Sequence, residues 1–278
     1  MISVLEKKII FRYLKSRKKD SFLNLITIFS FLGISLGVAV LIIVMSVMNG
    51  FRSELIDKII GFNAHIVIKP YEKNLDFKKL KNKNIQEIIE NYLISNNSEG
   101  IVINKDYTKG ILLRGYKKNS FKKLELVQNK KFKGNKNLNP KHISIGRELS
   151  LILNLDIGDK LILMSPAGIE TIIGSLPKQE AFIVDSIFES GLTDFDQNIA
   201  FLNLEDLESL FNLNKFDRNI ELYLKYPNKI EISRSIVNKI FDEQFIYSWS
   251  DLNKQLFSAL KVERNVMFII LSLIIIVA

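Results

Sequence analysis

The chain of 278 residues is 47% apolar and 25% charged, carries a net charge of +9 and contains no cysteine. That length and composition are enough to bury a core, while the missing thiols exclude a disulfide framework and leave an oxidising compartment permitted. A mean hydropathy of +0.12 averages greasy segments with a charged, soluble part, so one anchor region and one or two globular units are expected.

Taken in order, residues 2–19 place Leu5, Ile9 and Tyr13 four apart, with Ile10 and Leu14 beside them and the bases elsewhere. This spacing predicts an amphipathic helix within residues 1–20, lying on the inner leaflet. Ser21–Phe51 then runs thirty-one residues without a charge. A bilayer core of ~30 Å needs about 20 apolar helical residues, so the run predicts a transmembrane helix over residues 21–51. A cleaved signal peptide does not fit, because its apolar region is about 7 to 15 residues long. Seven bases precede the run, and only Arg52, Lys58 and Lys69 occur in the twenty residues after it. The basic flank marks the cytoplasm and places the following domain, residues 52–264, across the membrane.

Within the span, Gly33 and Gly37 form a pair of small residues four apart, which lets a second helix backbone approach closely; Ser46 and Gly50 repeat the spacing. The same letters, GISLG, match the nucleophile elbow of hydrolases, but that elbow needs a strand, a sharp turn and a helix in a water-accessible domain. Inside an apolar span it carries no catalysis. The outer end of the span, with Val44, Met45, Val47, Met48 and Phe51, is flexible apolar surface that can face lipid or another helix.

Beyond the span, short elements alternate. A helical stripe continues through Phe51, Leu55, Ile59 and Phe62, HIVIKP reads as a strand, and a helix is expected near Ile85–Leu93, with strands at Gly100–Asn104 and Gly110–Gly115. A helix through Ser144–Asn154 leads to a turn at Gly158 and Asp159 and an apolar strand. The strands Ile162–Met164 and Ala181–Val184 are separated by sixteen residues, far more than the usual two to five or so of a hairpin loop. Pro166 and Pro177 stiffen the ends of that loop, Gly168 and Gly174 permit bends, and Ile169, Ile172, Ile173 and Leu176 are too apolar for a solvated loop. A hairpin over residues 161–184 with an apolar, partner-docking tip is expected, the alternative being that the tip folds back on its own domain. IAFLN, NIELYLK and FIYSW read as strands, LEDLESLFNL and KIEISRSIVNKIF as helices, and Trp249 as a core residue. The last run, residues 265–278, is uncharged but gives only about 21 Å of helix, so it reads as the start of a second span.

Chemistry finds little to work with. No Walker A motif occurs, and His65 and His142 are isolated, leaving no metal cluster. The pairs Asp194 with Asp196 and Glu205 with Glu208 read as loop and helix-surface charges. The Lys-rich stretches Lys78–Asn84 and Asn129–Asn137 have only Phe132 interleaved, which argues for solvated loops and against a nucleic-acid patch.

Four stretches of the sequence, read together, carry a family likeness. The opening IIFRYLKSRKKDSFLNLITIFSFLGISLGVAVLIIVMSVMNGFRSEL, the segment IGRELSLILNLDIGDKLILMSP, the looped hairpin through Leu176 and Pro177, and the closing QLFSALKVERNVMFIILSLIIIVA resemble the lipoprotein-releasing permeases of the LolC/LolE family. The resemblance implies a membrane protein of transmembrane α-helices and an α/β (α+β) periplasmic domain of MacB-like type. It implies a non-catalytic subunit of an ABC transporter in the bacterial inner membrane, releasing outer-membrane lipoproteins to a periplasmic carrier. It further implies no cofactor in this chain, with ATP and Mg bound by a separate LolD-like cytoplasmic ATPase. A second permease subunit, LolE-like or another copy, a LolA-like carrier, the lipoprotein and membrane lipid complete the partners, with no nucleic acid. The hairpin would be the carrier-binding hook, with Pro166, Ile169, Ile172, Ile173, Leu176, Pro177 and Gln179; Glu180 departs from the base expected there. The resemblance also implies that Val44, Met45, Val47, Met48 and Phe51 meet the lipoprotein's acyl chains, the alternative being that they face lipid or another helix. A MacB-like or cell-division-type permease with other cargo, or a two-anchor periplasmic sensor, is the competing reading.

Overall fold

The computed structural model describes residues 4–14, 21–71, 74–105, 107–171 and 174–277. In chain order these form α1 (Val4–Leu14), α2 (Ser21–Phe62), β1 (Ile66–Lys69), α3 (Lys83–Ile88), β2 (Ile89–Asn104), β3 (Tyr107–Tyr116) and α4 (Glu125–Gln128). There follow β4 (Lys133–Gly134), β5 (His142–Gly146), α5 (Arg147–Leu153), β6 (Lys160–Thr171), β7 (Gly174–Phe188), α6 (Thr193–Asn198), β8 (Ile199–Asn203) and α7 (Leu204–Phe211). The chain closes with β9 (Asn219–Leu224), α8 (Ile230–Ile240), β10 (Phe245–Ser248), α9 (Trp249–Leu252) and α10 (Lys254–Val277). Two compact units result, one of Met1–Glu54 with Gln255–Ala278 and one of Leu55–Lys254.

In the first unit, α2 is apolar enough over its length to cross a membrane, with a mean hydropathy of 2.7 in its best window and little of that window buried. Its Met45, Met48 and Arg52, spaced three to four apart as one helix face requires, line a cavity with Leu260, Glu263, Arg264 and Met267 of α10. Helix α1 is described only to Leu14, so the predicted basic stretch Lys15–Lys19 lies outside the described residues.

The second unit is built on a sheet in the order β10-β1-β9-β2-β3-β8-β5-β7-β4. Strand β6 pairs with both β2 and β7, so the path β2-β3-β8-β5-β7-β6 returns to its start and closes six strands into a barrel. Val102, Leu113, Ile145, Leu163, Phe182 and Leu202 fill it, and α7 adds Leu207, Leu210 and Phe211 to the same core. Closure satisfies strand edges internally. The remaining strands, β9, β1 and β10, extend from β2 as an antiparallel wing.

The last turn of α2 is seated in this unit. Phe62 joins Tyr116, Phe121, Leu126, Phe188 and Phe195 in a second core cluster, and its ring lies 3.8 Å from that of Phe195. Next to it, buried Arg114 reaches Asn63 Oδ1 at 3.3 Å and Glu221 at 3.1 Å. Ser95, Tyr116 and Tyr223 also donate to the Glu221 carboxylate. Burial works against the Arg114 charge, but the facing phenol oxygens and the Glu221 carboxylate hold the guanidinium above its usual range. Burial, with the carboxylate beside them, pushes both phenols well up, so they stay protonated and donate.

Several predicted elements are corrected. The helix expected over Ile85–Leu93 ends at Ile88, because Ile89–Ser95 pairs with β9 around an irregularity between Ile89 and Asn91. The helix expected over Ser144–Asn154 starts only at Arg147, since His142–Gly146 is claimed by β7 and β8 on either side. The strand FIYSW stops at Ser248, whose side chain and that of Asp251 cap α9 reciprocally. Two carboxylates read as surface charges are buried. Asp196, 3% exposed, accepts from Ser190 N at 2.9 Å, and burial pushes its carboxyl up. Glu208, 7% exposed, holds Arg218 in a bidentate pair at 2.6 and 2.8 Å.

Candidate functional site

The sixteen-residue loop of the sequence reading is itself a hairpin. Strands β6 and β7 pair from Lys160↔Ile183 to Ser165↔Lys178, slip, and resume from Ile169↔Leu176 to Thr171↔Gly174. The slip sets Pro166, Ala167 and Gly168 against Pro177. Neither proline has an N–H to donate to a ladder, so the pairing breaks at the one level where both are found. Among the described residues no third strand lies beside those between Ser165 and the turn: β2 pairs with β6 only at Ile162–Met164, and β5 pairs with β7 only from Ile183 onward. The base is therefore held in the barrel wall while the outer six or so residues of each strand, about 20 Å of extended chain, project from it.

Of the predicted hook residues, Pro166, Leu176, Pro177 and Gln179 are exposed, Leu176 at 62%. Ile169 lies on β6 opposite Leu176. Ile172 and Ile173 lie outside the described residues. Gln179 donates to the Met164 sulfur at 3.4 Å.

The base of the hairpin carries a cluster of charges. Glu180 is hydrogen-bonded by Lys141 and approached by Lys178 at 3.3 Å, while Lys178 also donates to Ser209 O at 2.6 Å. Partial burial pushes the Glu180 carboxyl up, but the hydrogen bonds and charges of the two lysines outweigh it and leave it below the usual carboxylate range. The acid at the position where a base was expected thus gathers two bases. Lys178 was legible, since it shares a strand face with Glu180 two residues on. Lys141 was not, because only the parallel pairing of β5 with β7 brings it across thirty-nine residues of sequence.

In the first unit, the predicted acyl-chain residues divide between two faces of α2. Met45 and Met48 line a small cavity of about 40 Å3 with Asn49, Arg52, Leu260, Glu263, Arg264 and Met267, whereas Val44, Val47 and Phe51 are exposed. A Cβ added at Gly33 or Gly37 would meet nothing within 4 Å, so neither is used to pack helices within the described chain.

The model of the MacB-like periplasmic core domain matches residues 27–234. The lipoprotein-releasing system transmembrane protein LolC of Neisseria meningitidis is 30% identical over 99% of this chain and 68% of its own length. The chain belongs to the LolC/LolE family. LolC of Xylella fastidiosa is 28% identical over the same shares of the two chains, and LolE of Haemophilus influenzae is 26% identical over 96% of this chain and 66% of that one. The solved periplasmic region of MacB from Actinobacillus actinomycetemcomitans aligns with a TM-score of 0.43 at 12% identity, covering 72% of this chain and 95% of that one. Family membership fits the architecture: an apolar N-terminal helix leads into a mixed α/β domain.

Proposed function

We infer that this LolC/LolE-family chain is a membrane subunit of a lipoprotein-releasing ABC transporter, and that its β6–β7 hairpin is the hook through which a LolA-like periplasmic carrier docks. The names of the relatives support lipoprotein cargo over a drug or a cell-division substrate. The observation that carries the hook is its geometry: a two-stranded projection, anchored at its base and with no further strand among the described residues on either edge beyond Ser165, with Leu176 exposed on it. An apolar tip on a braced ribbon is what a soluble greasy carrier can grip. In this reading the N-terminus is cytoplasmic, the Leu55–Lys254 unit is periplasmic, and a LolD-like ATPase holds the ATP and Mg. A second permease subunit, LolE-like or another copy, completes the complex.

An external energy source is needed because a buried acyl chain holds on by ~0.8 kcal/mol per CH₂, on the order of 10 kcal/mol for a whole chain. The outer end of α2, with Val44, Met45, Val47, Met48 and Phe51, supplies adaptable apolar contacts for such chains on their way out. The test uses the full chain co-purified in detergent with its ATPase. Aspartate at Ile172, Ile173 and Leu176 is expected to abolish capture of the purified carrier while ATPase co-purification and circular dichroism stay unchanged. Carrier capture at wild-type level would overturn the hook assignment.

A further inference from the structure

The two long apolar helices of the first unit bring their bordering charges to one place. Arg52 of α2 is the first charge after the uncharged run Ser21–Phe51, and Glu263 and Arg264 of α10 are the last before the uncharged residues 265–278. All three line one cavity between the helices. Residues of both uncharged runs line it too, Met45 and Met48 from α2 and Met267 from α10. The cavity therefore straddles the boundary between apolar and charged residues on both helices at once.

The charges around it narrow the occupant. Arg52 and Glu263 are half-buried and Arg264 is exposed, and among the described residues no ion pair engages any of the three. Two bases and one acid thus surround a hollow of about 40 Å3, which is room for about three waters. That is too small for an acyl chain and suits the oxygens of one phosphate group. Guanidinium groups clasp phosphate oxygens through paired, charge-assisted hydrogen bonds. A free phosphate leaves the Glu263 carboxylate facing a like charge, whereas a primary amine carried on the phosphate satisfies it. Phosphate and amine are found together in the headgroup layer, which begins where the uncharged run of a membrane helix ends. Beside the charges, Met45, Met48 and Met267 offer flexible apolar contact for the first methylenes of a lipid leaving the hollow.

We propose that this hollow holds the headgroup of a resident phospholipid of the phosphatidylethanolamine type, its phosphate between Arg52 and Arg264 and its amine on Glu263. The lipid is a ligand of the subunit and is distinct from the transported lipoprotein. Like the acyl-chain surface proposed above, the site requires α2 and α10 to lie in a bilayer; it depends neither on the hook nor on the cargo, and it holds on whichever side of the membrane the second unit lies.

Native mass spectrometry of the full chain, delipidated in detergent, reads lipid retention directly. The chain is offered phosphatidylethanolamine, phosphatidylglycerol, or diacylglycerol with the same acyl chains. Phosphatidylethanolamine is expected to be retained about tenfold better than diacylglycerol, and the double change Arg52→Gln with Arg264→Gln is expected to abolish that preference. Glu263→Gln is expected to keep the preference over diacylglycerol while lowering the ratio of phosphatidylethanolamine to phosphatidylglycerol about fivefold. This second variant keeps the test decisive if circular dichroism shows that the double arginine variant has not folded. Equal retention of diacylglycerol, or a preference that survives both arginine substitutions, overturns the headgroup site and leaves the acyl-chain surface standing. Displacement by excess inorganic phosphate assigns the hollow to a free anion and also overturns it. An unchanged lipid ratio in Glu263→Gln overturns the amine contact, and with it the choice of phosphatidylethanolamine.

Discussion

Glu221 accepts hydrogen bonds from Ser95, Arg114, Tyr116 and Tyr223 in the interior of the unit, and that one carboxylate shows how a charge is kept where water is not. Removing one partner of a buried pair leaves the other uncompensated, at a cost of about 3–5 kcal/mol, whereas replacing both by apolar groups is often neutral. Arg114→Met is therefore expected to lower the unfolding midpoint of the full chain, and Glu221→Met to lower it further, because it also strands the Ser95, Tyr116 and Tyr223 hydroxyls; the loss in the double variant should be smaller than the two single losses added together. The sole tryptophan, Trp249, which is buried, gives the fluorescence readout, and strictly additive losses would contradict the pairing. His65 makes a pH-dependent statement. Its Nδ1 accepts from Leu224 N at 2.7 Å, and burial, opposed by a contact with the Ile60 backbone, lowers its pKa. Between the lowered folded value and the unfolded value near 6.5 the unfolded chain binds the extra proton. The stability His65 contributes is thus present above about pH 6.5 and is lost as pH falls through the folded value. In His65→Asn, whose amide oxygen can take the same N–H, the part of the stability slope below pH 6.5 due to this group should vanish; an unchanged slope would assign it elsewhere.

At the scale of elements, the junction of β5 and α5 has the tightest tolerance. Gly146 has a φ of −72°, which any residue adopts, so its glycine is required by space: a Cβ there would lie 2.0 Å from Asp196 O. Gly146→Ala must push α6 off α5, and overpacking of this kind costs about 1–3 kcal/mol or more. Urea unfolding at or above wild-type stability would show that the two helices can separate freely. This junction was half legible: the apolar period of residues 147–153 marked a helix, but nothing local told that residues 142–146 would be drawn into a strand by β7 and β8. The hairpin was legible in the same partial way. Its two prolines, its glycines and its length marked it as special, and the sequence reading made it a loop because the outer pairing, Ile169↔Leu176 to Thr171↔Gly174, resumes after a slip that no period-two pattern reveals.

For the whole molecule, the faces left unused are as informative as those that are packed. Among the described residues Gly33 and Gly37 have no neighbour above them within 4 Å, while Met45 and Met48 line a cavity with residues of α10. A notch of small residues on an apolar helix suits a helix of another chain, in contacts worth ~1 kcal/mol each. Leucine at both glycines should leave the chain folded and inserted while weakening co-purification of the second permease subunit. Undiminished co-purification would show that this face meets lipid.

The amino-acid sequence by itself marked α2 as a helix apolar enough to cross a membrane, because thirty-one residues without a charge favour a bilayer core over water. It also marked most strands and the amphipathic helices α7 and α8, whose burial patterns repeat within a few residues. Only the tertiary structure decided the rest. Closure of six strands through β6, the meeting of Lys141 with Glu180 and the burial of Asp196, Glu208 and Glu221 depend on segments far apart in the chain. A carboxylate's neighbours across a sheet leave no trace in its own local period, so burial and pairing become visible only when the strands are in register.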